Sequence, residues 1–366
     1  MNYLLQQKIQ QKQIPLFLDF APTKEVGALP STRYQGSKHK ILDWIQYQTK
    51  DLKFNSVLDA FGGTGCVGYM FKQRGKQVFY NDSLKFNYYI GLALIENSEI
   101  ILEDEDINFI LEKHSEISYP TFIFDTFHNI YFTDEENRWL DQVVTNIRNI
   151  KNKYKQALAY FGLFQACIIK RPYNLFHRKN LYIRAAKVER NFGNKKTWDT
   201  PFEEHFLKFV EEANNAVFNN KKKNQVFYGD VFNLNIPKPD LVYIDTPYIS
   251  AKGIGVNYFD FYHFLEGVVF YDQWKGLIDE NSKHKKIKNG KSEWCNKGEI
   301  HQAFEKLFGK FKDSILVISY RDDGIPTIEE LVKMLKKFKK SVRVEKLDYK
   351  YVLSEKKLKE VLVVGE

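Results

Sequence analysis

Five short apolar runs stand out along the chain: 56–60 (SVLDA), 77–81 (QVFYN), 225–228 (QVFY), 241–245 (LVYID) and 314–319 (SILVIS). Each is bounded by turn-forming or charged residues, the pattern of strands buried on both faces. Between the first two, residues 66–74 read as a helix, which makes a βαβ unit and so the start of a parallel sheet. Two further runs, 342–347 and 361–364, predict a pair of strands in the tail. About 140 residues of largely helical and loop-like pattern separate the second strand from the third. That is too long for one crossover, so an inserted unit is expected. The boundaries read from this pattern are a main α/β domain over 1–95 and 222–366, and a mainly helical insertion over 96–221.

Charge sharpens that division. The whole chain carries 55 Lys and Arg against 46 Asp and Glu, a net charge of +9. From Glu96 to Asp141 there are thirteen acids against Lys113 and Arg138, whereas Arg148 to Arg190 holds eleven bases against Glu189 alone. The basic stretch reads either as a solvated face or as a phosphate-facing surface. Within it, Lys170, Arg171, Asn174, Arg178, Lys179 and Arg184 mix cations with an amide that can read an adenine edge, and are candidate DNA contacts. The lysine-rich run 281–291 reads as a solvated loop or a second phosphate contact. Cys66, Cys167 and Cys295 are too far apart for zinc spacing or a disulfide framework. With a polar, glutamine-rich start and no apolar run of membrane-spanning length, they predict a cytoplasmic protein with no metal and no membrane contact.

Two segments carry candidate chemistry. The first is Asp59-Ala-Phe61-Gly-Gly63-Thr-Gly65-Cys-Val-Gly68, a glycine turn after a strand, where the backbone can approach a ligand closely. Asp82 ends the next strand and can accept hydrogen bonds from ribose hydroxyls. Gly63, Gly65 and Gly68 also fit a dinucleotide fingerprint, which keeps a nicotinamide-dependent oxidoreductase open. Asp59 argues against pyrophosphate and for a cationic ligand. The second segment is Asp245-Thr246-Pro247-Tyr248, at the carboxyl end of a hydrophobic strand, where α/β sheets place their ligands.

Asp245–Tyr248 resembles the Asp-Pro-Pro-Tyr motif of amino-methylating DNA methyltransferases, and Phe61, Gly63 and Gly65 resemble their Phe-x-Gly-x-Gly motif. Arg33-Tyr34-Gln35-Gly36-Ser37-Lys38 is similar to the N-terminal segment of the Dam-like, D12-class adenine-specific DNA N6-methyltransferases, and it precedes the glycine motif as it does there. The resemblance implies a Rossmann-like methyltransferase sheet with helices on both faces and an inserted target-recognition domain. It implies S-adenosylmethionine as methyl donor, held by Tyr34, Lys38, Asp59, Phe61, Gly63, Gly65, Asp82 and Asp230. It implies transfer to N6 of an adenine flipped out of double-stranded DNA, with Asp245 and the Thr246 carbonyl as acceptors and Tyr248 stacked on the base. A cognate restriction endonuclease is a possible partner. Thr246 stands where the family has Pro, and Ser37 where it usually has Gly. Cytosine N4, RNA adenine and a non-catalytic DNA-binding role remain alternatives.

Overall fold

The computed structural model describes residues 27–177, 184, 195–290, 292–349 and 358–366. Among these residues nine strands form in chain order: β1 Ser56–Asp59, β2 Gln77–Asp82, β3 Gln225–Tyr228, β4 Leu241–Ile244, β5 Ile249–Ser250, β6 Ile315–Arg321, β7 Gly324–Ile325, β8 Val342–Tyr349 and β9 Leu358–Gly365. Seven of them make one sheet in the order β3-β2-β1-β4-β6-β9-β8; β5 and β7 pair separately. The first five of that order run parallel, while β9 lies antiparallel between β6 and β8. The tail strands are one hairpin added to the sheet edge, with Val342 opposite Gly365 and Tyr349 opposite Leu358.

Strand alternation sends successive residues to opposite faces. Val57, Tyr80, Tyr243 and Val317 join one core, and Leu58, Phe79, Val242 and Leu316 the other. The helices Ile300–Lys310 and Ile328–Leu335 cover the second face, burying Phe304, Leu307 and Leu331. The first face is covered by Cys66–Gln73, Lys85–Gly91 and Tyr258–Val269.

The long stretch between β2 and β3 is helical as expected, its largest helices being Asp134–Asn149, Lys153–Ile169 and Phe202–Asn215. Its apolar side chains, among them Val144, Phe164 and Phe209, belong to the same core as the first sheet face. Lys153–Ile169 has twelve buried residues out of seventeen, which makes it the pillar of that core. None of the described helices is long and apolar enough to cross a membrane.

β1 is the switch point. β2 and β3 lie on one side of it and β4 and β6 on the other, so the connections leave β1 and β4 in opposite directions. A crevice opens above their carboxyl ends, as it does in open α/β sheets generally.

Candidate active site

The glycine turn enters that crevice directly from β1. Gly62 N–H donates to Asn81 O at 2.9 Å and Gly65 N–H to Gly62 O at 2.8 Å, closing the turn. Gly63 and Gly65 have φ of +50° and +71°, where a side chain would be strained. A Cβ on Gly62 would lie 2.0 Å from the Tyr80 ring, so that position is fixed by contact as well. Asp59, 2% exposed, accepts the Gly68 N–H at 2.9 Å and so ties β1 to the first turn of the helix after it. Asp82 accepts from Gly63 N–H at 2.9 Å with one oxygen and from Leu84 N–H at 2.8 Å with the other. Burial pushes Asp59 up to about 7, with the Asp245 and Asp82 charges adding to it, and burial also raises Asp82.

The cleft has a volume of about 690 Å³ counting its open mouth, and Tyr34, Lys38, Asp59, Phe61, Gly63, Asp82, Asp245 and Pro247 all line it. These residues lie up to 213 positions apart in sequence, and the fold brings them to one wall. Two residues expected to hold the cofactor sit differently. Gly65 is the left-handed residue before the helix rather than part of the lining. Asp230 is exposed in an adjoining depression, where its side chain caps a short helix by accepting from Phe232 N–H at 2.9 Å. That depression shares Phe61, Pro247 and Tyr258 with the cleft and is closed by Trp294, which meets the Phe61 ring edge-on at 4.9 Å.

Asp245 follows the last residue of β4. Its Oδ1 receives Lys38 Nζ at 2.9 Å and the Tyr248 hydroxyl at 3.0 Å. Its Oδ2 takes no hydrogen bond from the described residues. Lys38 also donates to the Tyr248 hydroxyl and reaches Glu360 Oε1 at 3.4 Å. Burial pushes Asp245 up to about 6; Lys38 opposes this and Glu360 adds to it. Burial works against the Lys38 ammonium, but Asp245 and Glu360 outweigh it and hold its pKa above the ordinary lysine value. Thr246 is buried, and no described residue donates a hydrogen bond to its carbonyl. The Tyr248 ring is 5% exposed and packs edge-on against Tyr320. The tyrosine expected to present its face to a base therefore spends its hydroxyl on Asp245, and the aromatic side chains lining the cleft are Tyr34, Phe61, Tyr243 and Tyr258.

The N-terminal segment is docked by the aromatic helix Tyr258–Val269. Tyr34 stacks on Tyr258 and Tyr262 with centroids 5.5 and 4.4 Å apart, and Gln35 N–H donates to the Tyr262 hydroxyl at 2.8 Å. From the same helix, Glu266 accepts the Lys85 and Phe86 N–H groups at 2.8 and 3.0 Å, capping the helix after β2. This helix is both pocket wall and core: Tyr258 lines the cleft, and Tyr262 and Phe264 are buried beneath it. Glu266, an acid inside an apolar run, and Glu360, at the edge of one after Lys359, were missed. The signal available for them was that unpaired buried acids are rare.

The basic run corrects an expectation. Lys170 and Arg171 are each 1% exposed and face inward, away from any phosphate. Lys170 Nζ and the Arg184 guanidinium converge on Glu136, at 2.7 Å and at 2.5 and 2.6 Å. Glu136 also accepts the Thr133 N–H at 2.9 Å, forming the capping box of Asp134–Asn149. Arg171 donates to Tyr131 O at 2.8 Å and lies over the Tyr131 ring. An acid on the acidic stretch thus gathers two cations of the basic one. Asn174, in a left-handed turn beside the exposed Tyr173, is partly accessible, and Arg178 and Lys179 lie outside the described residues. We expect Lys170→Met to lower stability by about 3 kcal/mol, because it leaves part of the buried Glu136 charge uncompensated. Thermal denaturation measures that loss. The slope of log DNA affinity against log salt should stay at the wild-type value; a shallower slope would return Lys170 to the phosphate contacts.

Residues 34–357 match the family described as D12 class N6 adenine-specific DNA methyltransferase. The chain belongs to that family. It is 31% identical over 338 residues to the type II methyltransferase M2.HphI of Haemophilus parahaemolyticus, covering 90% of this chain and 95% of that protein. It is 27% identical over 349 residues to M.FokI of Planomicrobium okeanokoites, covering 89% of this chain and 50% of that protein. It is 25% identical over 319 residues to M.NlaIII of Neisseria lactamica, covering 84% and 88%. As a D12-class adenine methyltransferase, the chain does not use its glycine turn for a nicotinamide cofactor, and the oxidoreductase and binding-only readings fall away. The family match ends three residues short of Glu360.

Proposed function

We propose that this D12-class enzyme takes its methyl group from S-adenosylmethionine and delivers it to N6 of an adenine flipped out of double-stranded DNA. The observation that carries this reading is Asp245 at the mouth of the cleft, with Oδ1 held by Lys38 and Tyr248 and Oδ2 left to accept. The adenine amino lone pair is delocalised into its ring, so it is a poor nucleophile. Asp245 Oδ2 and the Thr246 carbonyl would accept its two hydrogens and localise the pair on nitrogen, and the carboxylate would stabilise the positive charge that develops there.

The cleft suits the donor. Three carboxylates, Asp59, Asp82 and Asp245, line it for a ligand with cationic groups. S-adenosylmethionine supplies an electrophilic methyl on a good leaving group. Asp82 would accept its ribose hydroxyls, the positive-φ turn at Gly63 would let it approach the backbone, and Asp230 would bind the adenine amino group from the adjoining depression. No group of three metal-ligating side chains occurs among the described residues, and the chemistry needs none.

In this reading the helical stretch 96–221 recognises the target sequence, with Asn174, Arg178 and Lys179 as its DNA contacts. The relatives named type II methyltransferases support a place beside a cognate restriction endonuclease in the cytoplasm. Transfer of tritium from labelled S-adenosylmethionine to duplex DNA, followed by nucleoside analysis, tests the proposal. Label in N6-methyladenine is expected. Label in N4-methylcytosine, or in RNA alone, would overturn it.

A further inference from the structure

Glu360 reaches the active site from the far end of the chain. It lies on β9, the antiparallel strand beside β6, in register with Arg321. Strand alternation puts it on the face of Leu362 and Val364, with Ser319 of β6 on the face of Val317. Its side chain is 1% exposed. One oxygen, Oε1, accepts from the Ser319 hydroxyl at 2.7 Å, lies 3.3 Å from the Tyr248 hydroxyl, whose one proton it shares with Asp245 Oδ1, and pairs with Lys38 Nζ at 3.4 Å. Lys38 and Tyr248 are the two groups that hold Asp245 Oδ1. A buried carboxylate costs several kcal/mol unless it is paired, and an apolar residue would fill a strand more cheaply.

We infer that Glu360 is a positioning residue for methyl transfer, which fixes the Lys38 ammonium and the Tyr248 hydroxyl on one oxygen of Asp245 so that the other faces the target amino group. The inference rests on the role proposed for Asp245. It accounts for three features at once. Lys38 sits between two acids and so cannot swing to a phosphate. Ser319 orients Glu360 by donating to the same oxygen. Tyr248 is kept edge-on to Tyr320 with its hydroxyl inward. The groups around Asp245 are then Lys38 from the N-terminal segment, Asp59 from β1, Tyr243 from β4, Tyr248, Tyr258 from the aromatic helix and Glu360 from β9. Glu360 and Asp59 are the negative ones, and removing Glu360 lets Asp245 ionise at lower pH.

Glu360→Gln keeps an oxygen for Ser319 and removes the charge. In single-turnover transfer at saturating donor and DNA, its acid limb should move down by about 1 pH unit, the scale of one nearby charge. Its plateau should fall about tenfold, as Lys38 and Tyr248 lose their fixed partner. Donor and DNA affinities should stay near wild type. An unmoved limb and plateau, with only a lower melting temperature, would reduce Glu360 to strand packing and overturn the inference. Should Glu360→Gln fail to fold, Ser319→Ala removes one bond that orients Glu360 and leaves its charge. Its plateau should fall several-fold with the limb in place, and a wild-type plateau would overturn the inference. Titration of the Asp245 carboxyl by carbon NMR gives a readout independent of turnover. If wild type transfers no methyl group, the functional reading fails, and the pKa difference between wild type and Glu360→Gln still decides whether Glu360 acts on Asp245.

Discussion

Asp245→Ala should cost methyl transfer about 10²-fold or more, the scale seen when one preorganised electrostatic group is lost. The fold should survive. Asp245 ends a strand at an open cleft, and Lys38, which loses it, keeps Glu360 and the Tyr248 hydroxyl. Donor binding should change within a few-fold, because the glycine turn and Asp82 remain. DNA should bind as well or better, since a negative charge near a polyanion has gone. Single-turnover rates, calorimetric donor affinity and DNA binding together read these outcomes. A near wild-type rate would sink the mechanism, and joint loss of donor binding and rate would move Asp245 to the donor site. Asp245→Asn should fall between, as its amide oxygen still accepts but carries no charge. In wild type the carboxyl sits at about 6. The rate should therefore be level above that pH and fall toward tenfold per unit below it, as protonation removes the acceptor charge.

The parts legible in the sequence are those whose meaning is local. A strand, a glycine turn and a following helix occupy adjacent positions, and the backbone geometry they need, φ of +50° at Gly63 and +71° at Gly65, is written in the residue type. Asp245–Tyr248 is likewise one contiguous run at a strand end. Strand boundaries were legible to within a residue or two for β1 to β4, where apolar runs meet glycine or charge; β6 and the tail hairpin extend further than their apolar runs.

Direction was not legible. A basic run does not say which way its side chains point, and Lys170 and Arg171 turn inward because Glu136 and the Tyr131 carbonyl wait there. Those partners are 34 and 40 positions away. The lysine-rich loop is similar: Lys285 pairs with Glu280 and Lys286 with Asp260, one partner just before the loop and one well upstream. Glu360 is a further case, 112 positions from the Tyr248 hydroxyl it meets. Only the antiparallel return of β9 beside β6, a matter of sheet order, brings the two together. Long-range pairing of this kind depends on which strands become neighbours, and hydrophobic periodicity carries no record of that.

Asp59 makes the donor site itself pH-sensitive. Its ordinary value of 3.8 is pushed up to about 7, first by burial and then by the charges of Asp245 and Asp82. A raised carboxyl means the folded, empty protein holds a proton that the unfolded chain has released. Its contribution to stability therefore falls as pH rises from about 4 to about 7, and levels off beyond. A cationic donor prefers the ionised carboxylate. Its affinity should climb toward tenfold per pH unit up to about 7 and then flatten, with proton release on binding below that point. Calorimetry in buffers of different ionisation enthalpy measures both. Asp59→Asn keeps an oxygen for the Gly68 N–H and so should keep the turn, but it removes the charge and the titration. Donor affinity at pH 8 should drop about 10- to 100-fold, the range for a hydrogen bond to a charged group. The slope between pH 6 and 7 should nearly vanish, and the empty variant's stability should lose its dependence over the same window. Asp245 titrates close by, so Asp245→Ala is the control: it should keep most of the slope. An unchanged slope in Asp59→Asn would assign the titration to another carboxylate and take Asp59 out of donor recognition.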